Sequence, residues 1–344
     1  MSIELRNENR IMKTRGRCGY FSVTQDLNGK IIIYYRSSYP ENAKLGFTMP
    51  TRYLISNDGI DFAAPDNDQD IIIQNTGICH NFFAFYDSNR HPALEKKYKG
   101  IGGTHWRKQD PFWHRRDRHK GVQKNTEETH GYRGLHLYTS DDGLKWDCVS
   151  NKPFLSRRSP GFQTRGRRQA REFDGHLSII YNHKTGLYML YARANVRAGV
   201  RHIQYATSKD FKEWSPFSLV EFHPTFRNRT DNYYSPNFFK HPDNERFLGL
   251  LPYIRRNRAS LRLVISEDGV KWRKIEDFFK ERPWFDDGEP DKPKNPKHPV
   301  NGYAISKDKK EMYIYVQHNY FNHEKRKPIR IRRYAISMDT IMSL

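Results

Sequence analysis

Five hydrophobic runs along this chain end in near-copies of one phrase, Ser-x-Asp-Gly-x-x-Trp. The copies read YLISNDGIDF from Tyr53, LYTSDDGLKW from Leu137, YATSKDFKEW from Tyr205, LVISEDGVKW from Leu263 and a fading YAISMDTIM from Tyr334. Ahead of each lies a second strand-like run: IIIYYR, KYKGIGG, LYMLYAR, RFLGLLPYI and EMYIYV. A phrase that returns roughly every 60 to 85 residues marks one supersecondary unit used repeatedly.

Period-2 alternation, β-branched and aromatic enrichment and turn punctuation make that unit all-β, and helical periodicity is nearly absent. The spacing predicts a five-bladed β-propeller with four antiparallel strands per blade, a single domain over 1–344. Its blades are expected at about 17–66, 78–155, 172–222, 231–278 and 299–340, with 1–12 as a closing strand. Asp and Gly of the phrase suit the hairpin between third and fourth strands, and Trp146, Trp214 and Trp272 suit packing between blades. These aspartates therefore read as turn residues, not as reacting groups.

The second constraint is charge. Sixty Lys and Arg against 39 Asp and Glu give a formal +21 over 344 residues, a field that attracts polyanions. Two stretches concentrate it, RKQDPFWHRRDRHKG at Arg107–Gly121 and RRSPGFQTRGRRQAR at Arg157–Arg171. Both are candidates for polyanion contact, and a solvated basic face is the plainer reading of either. The cysteines Cys18, Cys79 and Cys148 are odd in number and far apart, offering no disulfide framework and no metal spacing. No apolar run reaches the roughly 18 residues of a membrane span, and the N-terminus lacks the apolar core of a signal peptide. The expectation is a monomer, cytoplasmic by default; incorporation in a virion or unconventional export would leave the same sequence.

Three stretches carry a resemblance. SNDGIDFAAP (Ser56–Pro65), HNFFAFYDSNRHPALEKKYKGIGG (His80–Gly103) and EFDGHLSIIYNHKTGLYMLYAR (Glu172–Arg193) resemble the five-bladed propeller glycoside hydrolases. The likeness is to the arabinanase/xylosidase-like and invertase/levansucrase-like clans, in an uncharacterised branch, and it spans about Gly19 to Asn322. It implies carboxylates at the axial end of the propeller, one a general acid and another a nucleophile or base, with no cofactor. Oxocarbenium-like chemistry needs two carboxyl groups roughly 5 to 9 Å apart in opposite protonation states.

Candidate acids recur at blade starts: Asp174, Glu172, Asp231 and Glu289, with Asp87 closing the blade-two run as a substrate-orienting carboxylate. His80, Asn81, His176, Tyr233, Arg17, Trp106, His298 and Asn301 are the candidate substrate-binding residues, and no metal set is assigned. Each has a bland alternative, the acids as turn caps and the histidines as packed core or loop residues. The chain departs from the family pattern in blade one. There Arg15 and Arg17 stand where an acid is expected, and Asp26 lies beside the Asn28-Gly29 hairpin. Asp231 also replaces a usual Glu. Three functions follow in order: a glycan-cleaving or glycan-transferring enzyme acting on an acidic carbohydrate, a non-catalytic glycan-binding propeller, and a polyanion- or nucleic-acid-binding scaffold.

Overall fold

The computed structural model describes residues 3–4, 6–13, 17–38, 51–65, 71–73, 80–87, 89, 94–104, 134–150, 152–156, 158–163, 173, 175–197, 200–223, 232–243, 245–255, 258–283, 288–289, 292–293, 298–318 and 330–344. Within them the chain forms five small, mainly antiparallel sheets arranged as the blades of a propeller.

Blade one runs outward from the axis through Arg17–Gln25, Ile31–Ser38, Thr51–Ser56 and Ile71–Ile73. Blade two uses His80–Tyr86, Tyr98–Thr104, Gly134–Ser140 and Asp147–Cys148. Blade three uses Ser178–Asn182, Leu187–Arg197, Val200–Ser208 and Ser218–Leu219. Blades four and five depart from four simple strands. In blade four the inner strand is broken into Asn232–Tyr233 and Phe238–Lys240, both paired with Phe247–Arg255. Arg258–Ser266 and Lys271–Pro283 follow, and Glu221–His223 adds to the outer edge in parallel. In blade five the inner pieces are His298–Pro299 and Ala304–Ile305, both on Glu311–His318, which pairs with Arg330–Ser337. The outer strand comes from the other end of the chain: Arg6–Lys13 pairs antiparallel with Arg330–Ser337. After Ser337 the chain forms a short helix, Met338–Met342, packed under the blade by the buried Ile341.

The core is a set of wedges between blades. Ile32, Tyr34, Phe82 and Tyr138 fill the space between blades one and two, and Leu137, Leu155, Leu177 and Leu190 that between two and three. Tyr191, Phe238, Leu251 and Trp272 join three to four. Leu250, Leu263, Ile314 and Ile336 join four to five, and Phe21, Ile33, Tyr313 and Tyr315 close five onto one. Successive side chains on one strand serve opposite wedges, as the strand period of two requires.

The repeated phrase builds the hairpin at the outer side of blades one to four. In blade two Ser140 Oγ accepts from Gly143 N at 2.9 Å, while Asp142 Oδ1 accepts from the backbone N–H groups of Leu144 and Lys145. Trp146 Nε1 donates to Gly143 O at 2.9 Å. The same bonds recur around Asp210 and Asp268. The tryptophans pack across the wedges: Trp146 edge-on to Tyr34 and Phe82, Trp214 tilted against Phe154, and Trp272 stacked on Phe238 at 4.0 Å.

The glycine of the phrase answers to the preceding blade. Tyr34, Tyr191 and Tyr315 each donate a hydroxyl to the carbonyl of Gly143, Gly269 and Gly59 of the next blade, at 2.8–2.9 Å. These glycines have φ of +77°, +79° and +73°, and a Cβ on any of them would come within 3 Å of the tyrosine oxygen. In blade two the register-equivalent residue is Ile101, which has no hydroxyl to donate, and the next phrase carries Phe211 instead of glycine. Phe211 keeps the left-handed backbone at φ +63° and fills the wedge against Tyr188 at 4.4 Å. Gly269→Ala is expected to destabilise the protein by about 2–4 kcal/mol in urea unfolding. That sums a left-handed penalty of about 1–2, a lost hydrogen bond of about 1 and local overpacking.

Candidate functional site

All five inner strands run the same way, so the axis has a leading face where they begin and an opposite face at their first hairpins. A chain of polar bonds ties these strands together around the axis. Thr24 Oγ1 of blade one donates to Ala84 O of blade two at 2.7 Å. Asn81 Nδ2 of blade two donates to Phe173 O at 3.2 Å, and Ser178 Oγ of blade three accepts from Phe238 N of blade four at 3.1 Å. Asn237 grips blade five through Val300 O and Gly302 N, both at 3.1 Å. Asn301 N donates to Phe21 O, Val23 N donates to Asn301 O, and Gln25 exchanges two bonds with Ile305, closing five onto one. Asn301 also reaches across the axis, its Nδ2 donating to Leu177 O and to Ser178 Oγ.

Two β-bulges re-aim side chains at the leading face. The ladder slips between Gly19 and Ser22 in blade one, and between His80 and Phe83 in blade two. Within them Tyr20 and Asn81 sit at φ +55° and +57°, a conformation that costs about 1–2 kcal/mol for a non-glycine residue. The bulge turns Tyr20 toward blade three, where His176 meets its ring edge-on at 5.4 Å. The Arg36 guanidinium lies over the same tyrosine at 4.6 Å. A second group of the same kind stands beside it. Tyr234 has Arg193 and Arg201 over its ring at 5.4 and 5.1 Å, with His298 edge-on at 5.5 Å. Gly175 links the two, since the guanidinium carbon of Arg193 lies 3.7 Å from where a side chain on Gly175 would begin.

His176 is 6% exposed, and neither of its ring nitrogens has a hydrogen-bond partner among the described residues. Burial, aided by the Arg36 charge, lowers its pKa to about 3, so it is neutral in the folded protein near pH 7. A neutral imidazole offers one donor and one acceptor. Asn81 Oδ1 and Ser22 Oγ nearby on the axis are likewise buried without partners among the described residues.

Several sequence candidates stand elsewhere. Asp87 lies at the opposite face, beyond the end of its strand, where its backbone N–H bonds Lys97 O. Its carboxylate pairs with Lys99 Nζ at 2.5 Å, with both side chains 1% exposed, and also accepts from the Tyr188 hydroxyl. This is a buried clasp between blades two and three. The burial that raises the Tyr188 pKa acts together with the Asp87 bond. Tyr233 turns away from the axis into the wedge between blades three and four, tilted against Phe222 at 3.9 Å, and it is Tyr234 that meets His298 and Arg193. Asn301 is 1% exposed, and its side-chain amide is committed to the cross-axis bonds.

His176 and His298 belong to the leading face as described, and Asn81 borders it. Arg17 and His80 begin the inner strands of blades one and two, paired with Ser38 and Gly103. Glu289 lies in a two-residue strand paired with Lys292. Asp174, Glu172, Asp231 and Trp106 fall outside the described residues, as do the cores of both basic stretches. Phe173 and Gly175, the chain neighbours of Asp174, stand at the leading face. Among the described residues no group of three His, Cys, Asp or Glu is placed to hold a metal ion, and no helix is long and apolar enough to cross a membrane.

Tyr20, Arg36, Arg193 and Tyr234 were not among the sequence candidates. A signal existed for the arginines: IIIYYR and LYMLYAR end the same way, placing Arg36 and Arg193 at matching positions of blades one and three.

No protein-family model matches the chain, and no curated protein matches it. Solved structures do. An N-acetylgalactosamine deacetylase from F. plautii, in complex with blood group B trisaccharide, aligns with TM-score 0.58 at 14% identity, over 98% of this chain and 97% of that one. A family 117 glycoside hydrolase from the marine bacterium Zobellia galactanivorans aligns with TM-score 0.52 at 13% identity, over 98% and 90%. The α-L-arabinanase of Penicillium chrysogenum, complexed with arabinobiose, gives 0.50 at 13%, over 98% and 99%. These likenesses establish the fold. The chain is a five-bladed propeller of the architecture that glycoside hydrolases use.

Two measurements test the assignments. Asp87→Ala should cost about 3–5 kcal/mol by leaving the Lys99 ammonium buried without its counter-charge. Asp87→Leu, Lys99→Met and Tyr188→Phe combined should recover most of that loss in urea unfolding. For His176 the unfolded chain takes up a proton near pH 6.5 while the folded one holds out to about 3, so stability falls as pH drops through that window. Between pH 7 and 5 the loss should be about 2 kcal/mol greater in the wild type than in His176→Gln.

Proposed function

We propose that this protein is a glycan-processing enzyme, a glycoside hydrolase or a related enzyme cleaving or transferring sugar units, working at the leading face of the axis. The observation that supports it best is the pair of Tyr–Arg–His groups gathered there, Tyr20 with Arg36 and His176, and Tyr234 with Arg193 and His298. Imidazole and guanidinium groups suit the hydroxyls and acidic substituents of sugars. The formal +21 charge favours an acidic carbohydrate.

The chemistry would be carried by carboxylates entering at this face. Asp174 is the first choice, with Asp231, Glu172 and Glu289 as partners; water is the second substrate and no redox cofactor is needed. Two of them roughly 5–5.5 Å apart would give retention, and roughly 6.5–9.5 Å would give inversion. Asp87, committed to Lys99 at the other face, is left out of this set.

One observation favours a second reading. Arg15 and Arg17 stand in blade one where the family pattern has an acid. A glycan-binding propeller without turnover would have this character. Asp174→Asn decides between them. The enzyme reading expects it to abolish product formation on a glycan panel, by a factor of at least about 100 for loss of a general acid or base, with an unchanged melting temperature. Binding on a glycan array with no product from the wild type would replace the first reading by the second.

A further inference from the structure

Resting on the glycan reading, we infer that the leading end of the axis holds a pocket that reads hydroxyls, in which Ser22, Asn81 and His176 bind one uncharged sugar unit of the glycan. The three come from blade one, blade two and the start of blade three. Each is more than nine-tenths buried, and Ser22 Oγ, Asn81 Oδ1 and both imidazole nitrogens of His176 have no partner among the described residues. Buried polar groups left unpaired are costly, so three at one end of one axis suit a ligand that supplies the missing bonds. Their directions converge. Thr24 Oγ1 reaches Ala84 O of blade two, and Ser22, two residues nearer the leading face, stands on the same side of its strand. Asn81 is held by the bond from its Nδ2 to Phe173 O, which leaves Oδ1 as the open end of the carboxamide. Phe173 lies three residues before His176, whose ring in turn meets Tyr20, two residues before Ser22. Beyond them Asn301 crosses the axis to Leu177 O and Ser178 Oγ, directly after His176 in the chain, and forms the floor.

The donors and acceptors on offer select the ligand. Ser22 donates and accepts, a neutral imidazole donates once and accepts once, and Asn81 Oδ1 only accepts. Burial keeps His176 neutral near pH 7. A carboxylate or sulfate oxygen would meet Asn81 Oδ1 and the bare imidazole nitrogen lone pair to lone pair. A metal cation would use the acceptors alone, and among the described residues no group of three His, Cys, Asp or Glu is placed to hold one. A sugar hydroxyl both donates and accepts, so neighbouring hydroxyls of one ring complete the set. The formal +21 charge then acts on the approach of an acidic glycan, while this pocket takes a unit of it that bears no charge.

The test titrates the full chain, labelled with nitrogen-15 at histidine, with a panel of neutral pentose and hexose disaccharides. Calorimetry reads affinity, and the imidazole resonances of His176, assigned by their loss in His176→Phe, read contact. At least one disaccharide should shift those resonances, and its analogues lacking single hydroxyls should include one that binds at least tenfold more weakly. Ser22→Ala and His176→Phe should each cut affinity at least fivefold while the melting temperature holds or rises, because each removes a buried polar group with no partner in the protein. Should either fail to fold, the deoxy comparison on the wild type decides. Binding that every deoxy analogue shares, or that leaves the His176 resonances unmoved at saturation, overturns the inference. So does a fall in melting temperature with affinity kept in both variants, the mark of groups that serve enclosed water. Asp174-dependent turnover on a glycan panel, with no neutral disaccharide bound, would sink the pocket and leave the enzyme reading standing. Neither binding nor turnover would sink both.

Discussion

The hydrogen bonds that run from blade to blade around the axis are the constraint on which the rest of this propeller depends. Wedges of apolar side chains hold the blades face to face, but such packing is non-directional and tolerates sliding. The bonds of Thr24, Asn81, Ser178, Asn237 and Asn301 to neighbouring backbone are directional and set each inner strand at a fixed height along the axis. They also satisfy backbone groups that the broken inner strands of blades four and five leave outside the ladders, where buried unpaired groups would be costly. The breaks and the polar side chains are therefore one device.

That device places the site. With the strand heights fixed, the bulges of blades one and two turn Tyr20 and Asn81 inward at one end only, opposite the loop that delivers Phe173, Gly175 and His176. Strained backbone at two equivalent positions is held in place by the packing beneath it, which is the condition under which such strain persists at functional sites. At the other end the same strands finish in hairpins whose polar groups pair with one another, as Asp87 does with Lys99 and Tyr188. The two ends of one axis thus differ in kind: one has its polar groups consumed by the protein, and the other keeps His176 in reserve.

The architecture was legible because it is repeated. Period-two strands and a turn phrase with a definite hydrogen-bonding role announce themselves in a single chain, and even the odd Phe211 keeps the left-handed turn that glycine makes in blades one, two and four. The site was much less legible, for a physical reason. Its residues come from different blades and face the axis only because of bulges and strand breaks, which shift side-chain direction by one residue without any marker in composition. Tyr233 and Tyr234 are the clearest instance: adjacent, identical in type and opposite in destination. Asp87 shows the converse. Asp-Ser-Asn at a strand end reads equally well as a substrate-orienting acid or as turn chemistry, and the structure pairs its carboxylate with the buried Lys99 twelve residues on.

The strand Arg6–Lys13 is made long before its partner Arg330–Ser337 and is the last of its sheet to find its place. During synthesis at about 5–20 residues per second, that segment waits roughly 15 to 70 seconds before pairing is possible. Blades one to four, whose strands neighbour one another in sequence, can assemble in the meantime. Until the last blade arrives, the growing protein is an open arc with two uncovered wedges and an unpaired strand, the state in which edge-to-edge association with another copy is easiest. Joining Arg6–Lys13 to Arg330–Ser337 in one sheet converts that vulnerable arc into a closed ring in a single late step, and makes the arrival of the later strand the event that seals the molecule.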